Sequence, residues 1–298
     1  MKNTLKLILF LVILSACNTH QPVRTAYNLP EFTELESWSN LKSPQIDSFK
    51  ILYTGAVKVP LEGMLNIEKL PENHGMDEMI WVDVFAYLFH HKTKGWYLID
   101  TGLDSSFQDN GNIKGLLASN YIKECRQHKG ENIGSQLKRE NKDIKGIFLT
   151  HLHGDHTAGL PEINPRIPKF VGSGEEYLHL PFFYHSNHLS EKDSLEEISW
   201  EHAEAIKPLE KVVDIFGDQS FYAISTPGHS NSHTSYLLNT SSGLILLTGD
   251  ASHTKFGFEN NIEPGWITDQ QQAENSLSQL ISFKKMYPET RVIYGHQK

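Results

Sequence analysis

Cysteine is nearly absent from this chain. Its 298 residues include only two cysteines, Cys17 and Cys125, and no disulfide can form within the chain if Cys17 is covalently modified. Stability must then come from a hydrophobic core or from bound metal. We interpret Cys125 as a buried residue without a catalytic role, with a catalytic thiol as the alternative.

An excess of positive charge is also missing. The chain has 27 Lys and Arg against 36 Asp and Glu, for a formal net charge of −9. Proteins that bind nucleic acid normally carry a basic surface. The charge balance therefore predicts that nucleic acid is not a partner.

Long hydrophobic runs are limited to residues 7–14, which follow Lys2 and Lys6. The run is too short to span a bilayer and is typical of an export signal. It ends in Leu14-Ser15-Ala16-Cys17, which resembles a bacterial lipobox, in which the cysteine receives lipid before cleavage. We therefore predict a signal peptide over 1–16 and an exported lipoprotein anchored to a bacterial membrane through Cys17, facing the periplasm or the cell surface. The alternatives are an ordinary signal with a chance cysteine, or a short buried helix.

The rest of the chain predicts a tether followed by one mixed α/β domain. Residues 17–47 are polar and contain Pro22, Pro30 and Pro44, which favours an extended tether with one short helix near 31–38. The domain is predicted over 48–298, with strands at 80–89, 96–100, 144–150, 221–226, 234–238, 243–248 and 291–294 and helices at 131–140 and 269–286.

The segment 172–209 is unusually rich in aromatic and charged residues. We predict a helical insertion or a lid-like segment. The alternative is a pair of surface helices whose Phe182, Phe183 and Tyr184 belong to the core.

A dense set of metal-ligand residues follows predicted strand 144–150, in the order His151-Leu152-His153-Gly154-Asp155-His156. In an extended segment His151 and His153 project to the same side, so both imidazoles can reach one cation. Asp155 and His156 can turn toward a second cation after Gly154. Buried together without metal, these groups would repel each other or lack partners.

Further ligand residues follow other predicted strands, where loops can converge on one crevice. We predict that His229 joins His151 and His153 at one metal, and that His296 joins Asp155 and His156 at the other. Asp250 is predicted to bridge the two ions. Imidazole with carboxylate and no thiolate suits two Zn²⁺, with manganese, iron or cobalt as other possibilities. His233 is predicted either to support this site or to lie on the surface.

The pattern His151-x-His153-x-Asp155-His156, with His229, Asp250 and His296 downstream, resembles the metallo-β-lactamase superfamily over about 49–296. The resemblance implies an αβ/βα four-layer sandwich with a dinuclear site along one edge. Asp100-Thr101-Gly102 matches the same pattern, which implies that Asp100 supports the histidine loop.

Within that superfamily, Thr248-Gly249-Asp250-Ala251-Ser252-His253 and Phe258-Glu259-Asn260 are similar to the N-acyl-homoserine lactonases. This resemblance implies a metal-dependent hydrolase that opens the lactone ring of N-acyl-homoserine lactones, which is quorum quenching. Asp155 would act as the proton shuttle. Those lactonases usually carry tyrosine where this chain has His253, and we expect His253 to orient the substrate carbonyl.

Other functions fit the same residues. The substrate could be a thioester, a β-lactam or a phosphodiester, although the acidic charge argues against the last. A metal-binding lipoprotein without turnover is a third class. Phe182, Phe183, Tyr184 and Trp266 are candidates for an acyl-chain groove, but aromatic residues more often belong to the core.

Overall fold

The strands and helices form four layers in this computed structural model, which describes residues 22–31, 35–108, 122–177, 188–189 and 192–297. The strands are β1 (Val23–Ala26), β2 (Ile46–Pro60), β3 (Met79–His91), β4 (Gly95–Ile99), β5 (Glu124–Arg126), β6 (Ile144–Phe148), β7 (Lys169–Gly172), β8 (Ser194–Ile198), β9 (Glu204–Ile206), β10 (Leu209–Asp214), β11 (Phe221–Ser225), β12 (Thr234–Thr240), β13 (Gly243–Leu247) and β14 (Arg291–Ile293). The helices are α1 (Leu61–Met64), α2 (Ile133–Glu140), α3 (Gly154–Thr157), α4 (Lys255–Asn260) and α5 (Gln270–Met286).

The described strands are linked in one continuous sheet of 14 strands, and it divides into a first and a second sheet where β2 and β12 share a single residue pair. One runs β1-β8-β7-β6-β4-β3-β2, with β5 beside β2, and the other runs β14-β13-β12-β11-β10-β9. The register between β2 and β12 is the single pair of Ile46 with Thr240, so the two sheets meet at one corner. Each sheet therefore has an inner face and an outer face.

Alternation along the strands fills both faces of each sheet. In β11, Phe221 packs between the sheets, where its ring centroid lies 4.8 Å from that of Phe148. Its neighbour Tyr222 points to the outer cluster that contains Phe283 of α5. Replacing a buried phenylalanine by alanine typically costs about 3–5 kcal/mol, so packing between the sheets is a major source of stability.

Helix α5 covers the outer face of the second sheet. It starts after Asp269, whose side chain accepts a hydrogen bond from the backbone N–H of Gln272 at 2.9 Å and caps the helix. Its buried residues recur every three or four positions and form one stripe: Ala273, Ser276, Leu277, Leu280 and Phe283. Helix α2 contributes Ile133 to the cluster on the outer face of the first sheet. The order helix, sheet, sheet, helix confirms the predicted αβ/βα sandwich.

The segment 172–209 differs from its prediction where the structure describes it. Residues 194–198 and 204–206 are strands β8 and β9 instead of helices. Leu195 and Ile198 are fully buried, and β8 pairs in parallel with both β7 and β1. The aromatic and charged composition of this segment did not indicate the strand pairing. Phe182, Phe183 and Tyr184 lie outside the described residues.

Residues of the predicted tether pack against the domain where they are described. Strand β1 pairs with β8, with Val23 opposite Ser194. Trp38 is 2% exposed and donates from Nε1 to the Ile206 carbonyl at 3.1 Å. From residue 22 onward, the described part of this segment therefore contributes to the fold. The predicted signal 1–16 and Cys17 lie outside the described residues.

No helix in the described part of the chain combines the length and apolar character needed to cross a membrane.

Candidate metal centre

Asp100 connects the strand β4 to the histidine loop that follows β6. The two strands are parallel neighbours, with Ile99 opposite Phe148. Asp100 accepts hydrogen bonds from the Thr150 backbone N–H at 2.8 Å, from the Thr150 hydroxyl at 2.9 Å and from His156 Nδ1 at 2.8 Å. Its backbone takes a φ of +53°, which an L-residue rarely adopts. The supporting contact implied for Asp100 is therefore present.

These partners fix the tautomers of several imidazoles. His156 Nδ1–H must donate to the Asp100 carboxylate, which only accepts. Because the Thr150 hydroxyl donates to Asp100, it accepts from His151 Nδ1–H at 3.0 Å. His296 Nδ1–H donates to the Asp83 carbonyl at 2.8 Å. In the neutral form, each ring then presents the lone pair of Nε2 for metal binding.

The Asp250 carboxylate lies at the centre of the imidazoles. Its Oδ2 atom is 3.2–3.7 Å from the Nε2 atoms of five rings, those of His151, His156, His229, His253 and His296. Burial acts to raise the pKa of Asp250, but the histidines, His156 first, hold it well below its usual value. The carboxylate is therefore ionised and faces ligand atoms from several loops.

The structure brings together all seven predicted ligands. The ligand atoms of His151, His153 and His229 lie within 4.8 Å of one another, and so do those of Asp155, His156, Asp250 and His296. These sets match the two predicted sites, because the carboxyl ends of β6, β11, β13 and β14 meet at one edge. A third set with the same spacing contains His229, Asp250 and His253.

Unpaired atoms show that these residues fit metal ions. Among the described residues, His151 Nε2, His156 Nε2 and Asp250 Oδ1 are buried without a hydrogen-bond partner. Each such atom costs about 1–3 kcal/mol if it stays unpaired. Burial also lowers the pKa of His151 well below its usual value, which keeps the ring neutral and able to bind a cation. Two divalent ions would satisfy these atoms.

His253 has a restricted hydrogen-bonding role. Its Nδ1–H donates to the Met64 carbonyl at 3.1 Å, and its Nε2 lies 3.2 Å from Asp250 Oδ2. In the neutral ring Nε2 has no proton, so it can donate to a substrate carbonyl only when the ring is protonated. The predicted role of His253 as a hydrogen-bond donor to the substrate therefore requires a protonated ring.

The carboxylate of Asp155 is more accessible to solvent than that of Asp250. Its side chain is 23% exposed, against 4% for Asp250, and its Oδ2 lies 3.3 Å from His296 Nε2. This position lets the Asp155 carboxylate contact the ligand set and the solvent.

Trp266 is the described candidate for an acyl-chain groove, and it is half-buried. Its ring packs against Gly63, and a Cβ added to Gly63 would lie 2.5 Å from the indole.

Of two supporting residues, the sequence assigned His233 only as one of two alternatives and did not assign Glu175. His233 is fully buried behind Asp250, which decides between the two predictions for it in favour of support. Its position four residues after His229 was the available signal. Glu175, in the segment predicted as a lid, is also buried and contacts both histidine loops.

The family model of the metallo-beta-lactamase superfamily matches residues 79–296. The chain therefore belongs to this superfamily, and it is a metal-dependent hydrolase.

The curated relatives include N-acyl homoserine lactonases. The enzyme of Bacillus cereus is 31% identical over 225 residues, which cover 72% of this chain and 80% of that protein. The lactonase AttM of Azorhizobium caulinodans is 26% identical over 254 residues, which cover 83% and 91%. The match to AttM of Agrobacterium fabrum, at 28% identity, spans 58% of that protein.

Among solved structures, B. thuringiensis AiiA mutant F107W with N-decanoyl-L-homoserine bound at its active site superposes with a TM-score of 0.67. Its sequence identity is 24%, and the match covers 85% of this chain and 94% of that chain. A quorum-quenching N-acyl homoserine lactone hydrolase gives a TM-score of 0.66 at 23% identity, covering 86% and 94%. These similarities support the fold.

Proposed function

We propose that the protein is a dinuclear zinc hydrolase that opens the lactone ring of N-acyl homoserine lactones. The observation that carries this proposal is the position of Asp250, whose Oδ2 lies 3.4 Å from both His229 Nε2 and His156 Nε2. These imidazoles belong to the two different ligand sets, so one carboxylate can serve both ions. The curated relatives named as N-acyl homoserine lactonases support the choice of substrate.

Two divalent ions bound here would polarise the ring carbonyl and activate a water molecule near neutral pH. Asp155, partly exposed beside His296, takes the proton that this water releases as its oxygen bonds to the carbonyl carbon. The ring C–O bond then breaks, and Asp155 returns the proton to the departing oxygen, which becomes a hydroxyl. The product is N-acyl homoserine, whose new carboxylic acid releases its remaining proton to the solvent at neutral pH.

His253 would contact the carbonyl oxygen during this step. With Nδ1–H held by the Met64 carbonyl, a protonated His253 can donate from Nε2 to the carbonyl oxygen by sharing or releasing its contact with Asp250 Oδ2 at 3.2 Å. Negative charge develops on the carbonyl oxygen as water adds, so such a donor stabilises the transition state more than the substrate.

A substrate panel tests this proposal. Zinc-loaded protein is assayed with N-acyl homoserine lactones, a simple thioester, nitrocefin and a phosphodiester. We expect the highest kcat/KM with the lactones. A higher value with another substrate would transfer the proposal to that class, and zinc binding without turnover on the panel would favour a metal-binding lipoprotein.

The location of the protein is a separate proposal. We propose that it is exported and tethered through acyl chains on Cys17, since the lipobox-like sequence ends at that residue. Mass spectrometry of protein from membranes should find acylated Cys17 as the mature N-terminus, and Cys17→Ser should remove both lipid and cleavage. A mature N-terminus elsewhere would contradict this proposal.

A further inference from the structure

Glu175 is a buried carboxylate that lies between the loop that carries His151 and His153 and the loop that carries His229. It follows the end of β7 and is 2% exposed. Its Oε1 accepts from the Leu152 backbone N–H at 3.4 Å, and its Oε2 accepts from the Ser230 hydroxyl and the Ser232 backbone N–H, both at 2.9 Å. Burial raises the pKa of Glu175 to about 7, so the three donors offset an unfavourable desolvation.

The positions of these donors in the sequence are informative. Leu152 lies between His151 and His153, and Ser230 directly follows His229. The ligand atoms of these three histidines form one of the two sets that can hold an ion. The Glu175 carboxylate therefore links the loop that carries His151 and His153 to the loop that carries His229, at positions next to all three ligands.

The turn that carries Glu175 also packs closely against the loop that follows His229. A Cβ added to Gly172 would lie 2.7 Å from the Ser232 carbonyl oxygen, so the turn that carries Glu175 must approach this loop closely. The Ser232 hydroxyl also donates to the Ser173 carbonyl at 2.8 Å. The position of Glu175 relative to the second loop is thus fixed by several independent contacts.

We propose that Glu175 is a positioning residue that holds His151 and His153 at the correct distance from His229, and so sets the affinity of this one metal site. The proposal rests on the proposed dinuclear function. The other set is held independently of Glu175, because His156 donates to Asp100. Loss of Glu175 should therefore weaken one ion selectively, which general destabilisation would not do.

The test uses the variant Glu175→Gln, whose amide is nearly the same size but adds donors where the carboxylate only accepts. Metal-free protein is titrated with Co²⁺, and binding is followed by visible absorption. The parent should bind in two steps. Glu175→Gln should retain one step and weaken the other by about ten- to hundredfold, as is typical for a residue that supports a ligand.

Glu162→Gln is the matched control. Glu162 also accepts backbone N–H groups, from Ser105 at 2.7 Å and Gly134 at 2.9 Å, but these donors do not lie next to a predicted ligand. Its variant should keep both cobalt steps. If Glu175→Gln folds poorly, Ser230→Ala removes a single donor and should weaken the same step by a smaller factor.

Parental titration of Glu175→Gln, or equal weakening of both steps, would overturn the positioning role. If the parent binds two Co²⁺ but opens no lactone, the substrate proposal fails and the role of Glu175 stands. If the parent binds no Co²⁺, the dinuclear function and this inference both fail.

Discussion

The backbone N–H of Asp250 donates to His233 Nε2 at 2.9 Å, which fixes the tautomer of this fully buried imidazole. His233 Nδ1–H therefore donates to the Thr226 hydroxyl at 2.8 Å, and that oxygen lies 2.9 Å from the Ser235 hydroxyl. Ser235 donates to the Thr248 carbonyl at 2.7 Å. The network begins at Asp250 and returns to its loop two residues earlier, so it holds the Asp250 carboxylate in place.

Replacing His233 should weaken metal binding at both sites. His233→Ala removes the partner of the Asp250 N–H, and Asp250 is the carboxylate that both ions would share under the proposed function. We expect a loss of about ten- to hundredfold in affinity for each ion, measured by competition with a chelator. His202→Ala, at an exposed position, is the control. Parental affinity in His233→Ala would show that Asp250 is positioned without this network.

Replacing His151 should instead remove one ion. His151→Ala deletes one ligand of the set with His153 and His229, while Asp155, His156 and His296 remain together. Elemental analysis should show that the bound metal per chain falls by about half. Parental metal content, or loss of both ions together, would contradict the grouping of the ligands.

The sequence predicted the fold where hydrophobic patterns were strong. Strands β3, β11 and β13 and helix α5 were expected from apolar runs or periodicity, and the structure confirms these elements within a few residues. Strands β1 and β8 were missed because their parallel pairing joins segments far apart in the chain. Local patterns do not report such pairing.

Much of the site could also be predicted, because its residues follow strands whose ends converge. Glu175 could not, since its role depends on contacts with residues distant in sequence. The side chain of His253 was expected to donate, but only the Met64 carbonyl beside Nδ1 reveals that Nε2 is the acceptor in the neutral ring. Tertiary contacts therefore decide these roles.

Replacing His253 should lower turnover while both ions remain bound. For His253→Ala we expect about a tenfold loss in kcat, or roughly 1.4 kcal/mol, since two bound metal ions would also polarise the carbonyl. His253→Tyr should retain activity because its hydroxyl can donate. Parental rates in His253→Ala would make this residue a bystander. Loss of metal would instead assign it as a ligand with His229 and Asp250.

Cys125 should be an unreactive thiol. Burial raises its pKa to about 11, and it packs in a cluster with Val57 and Val59. In protein that lacks residues 1–17, a thiol reagent at about pH 8 should label the native state slowly and the denatured state rapidly. Rapid native labelling would contradict this burial and would make the thiol a possible zinc ligand in metal measurements.

The rate of N-acyl homoserine lactone opening, measured while zinc is returned to metal-free protein, tests the central claim most directly. The account predicts that activity rises until about two equivalents are bound, and that Asp250→Ala, without the shared carboxylate, stays inactive at the same zinc concentrations. Full activity in the metal-free protein or in Asp250→Ala would contradict it.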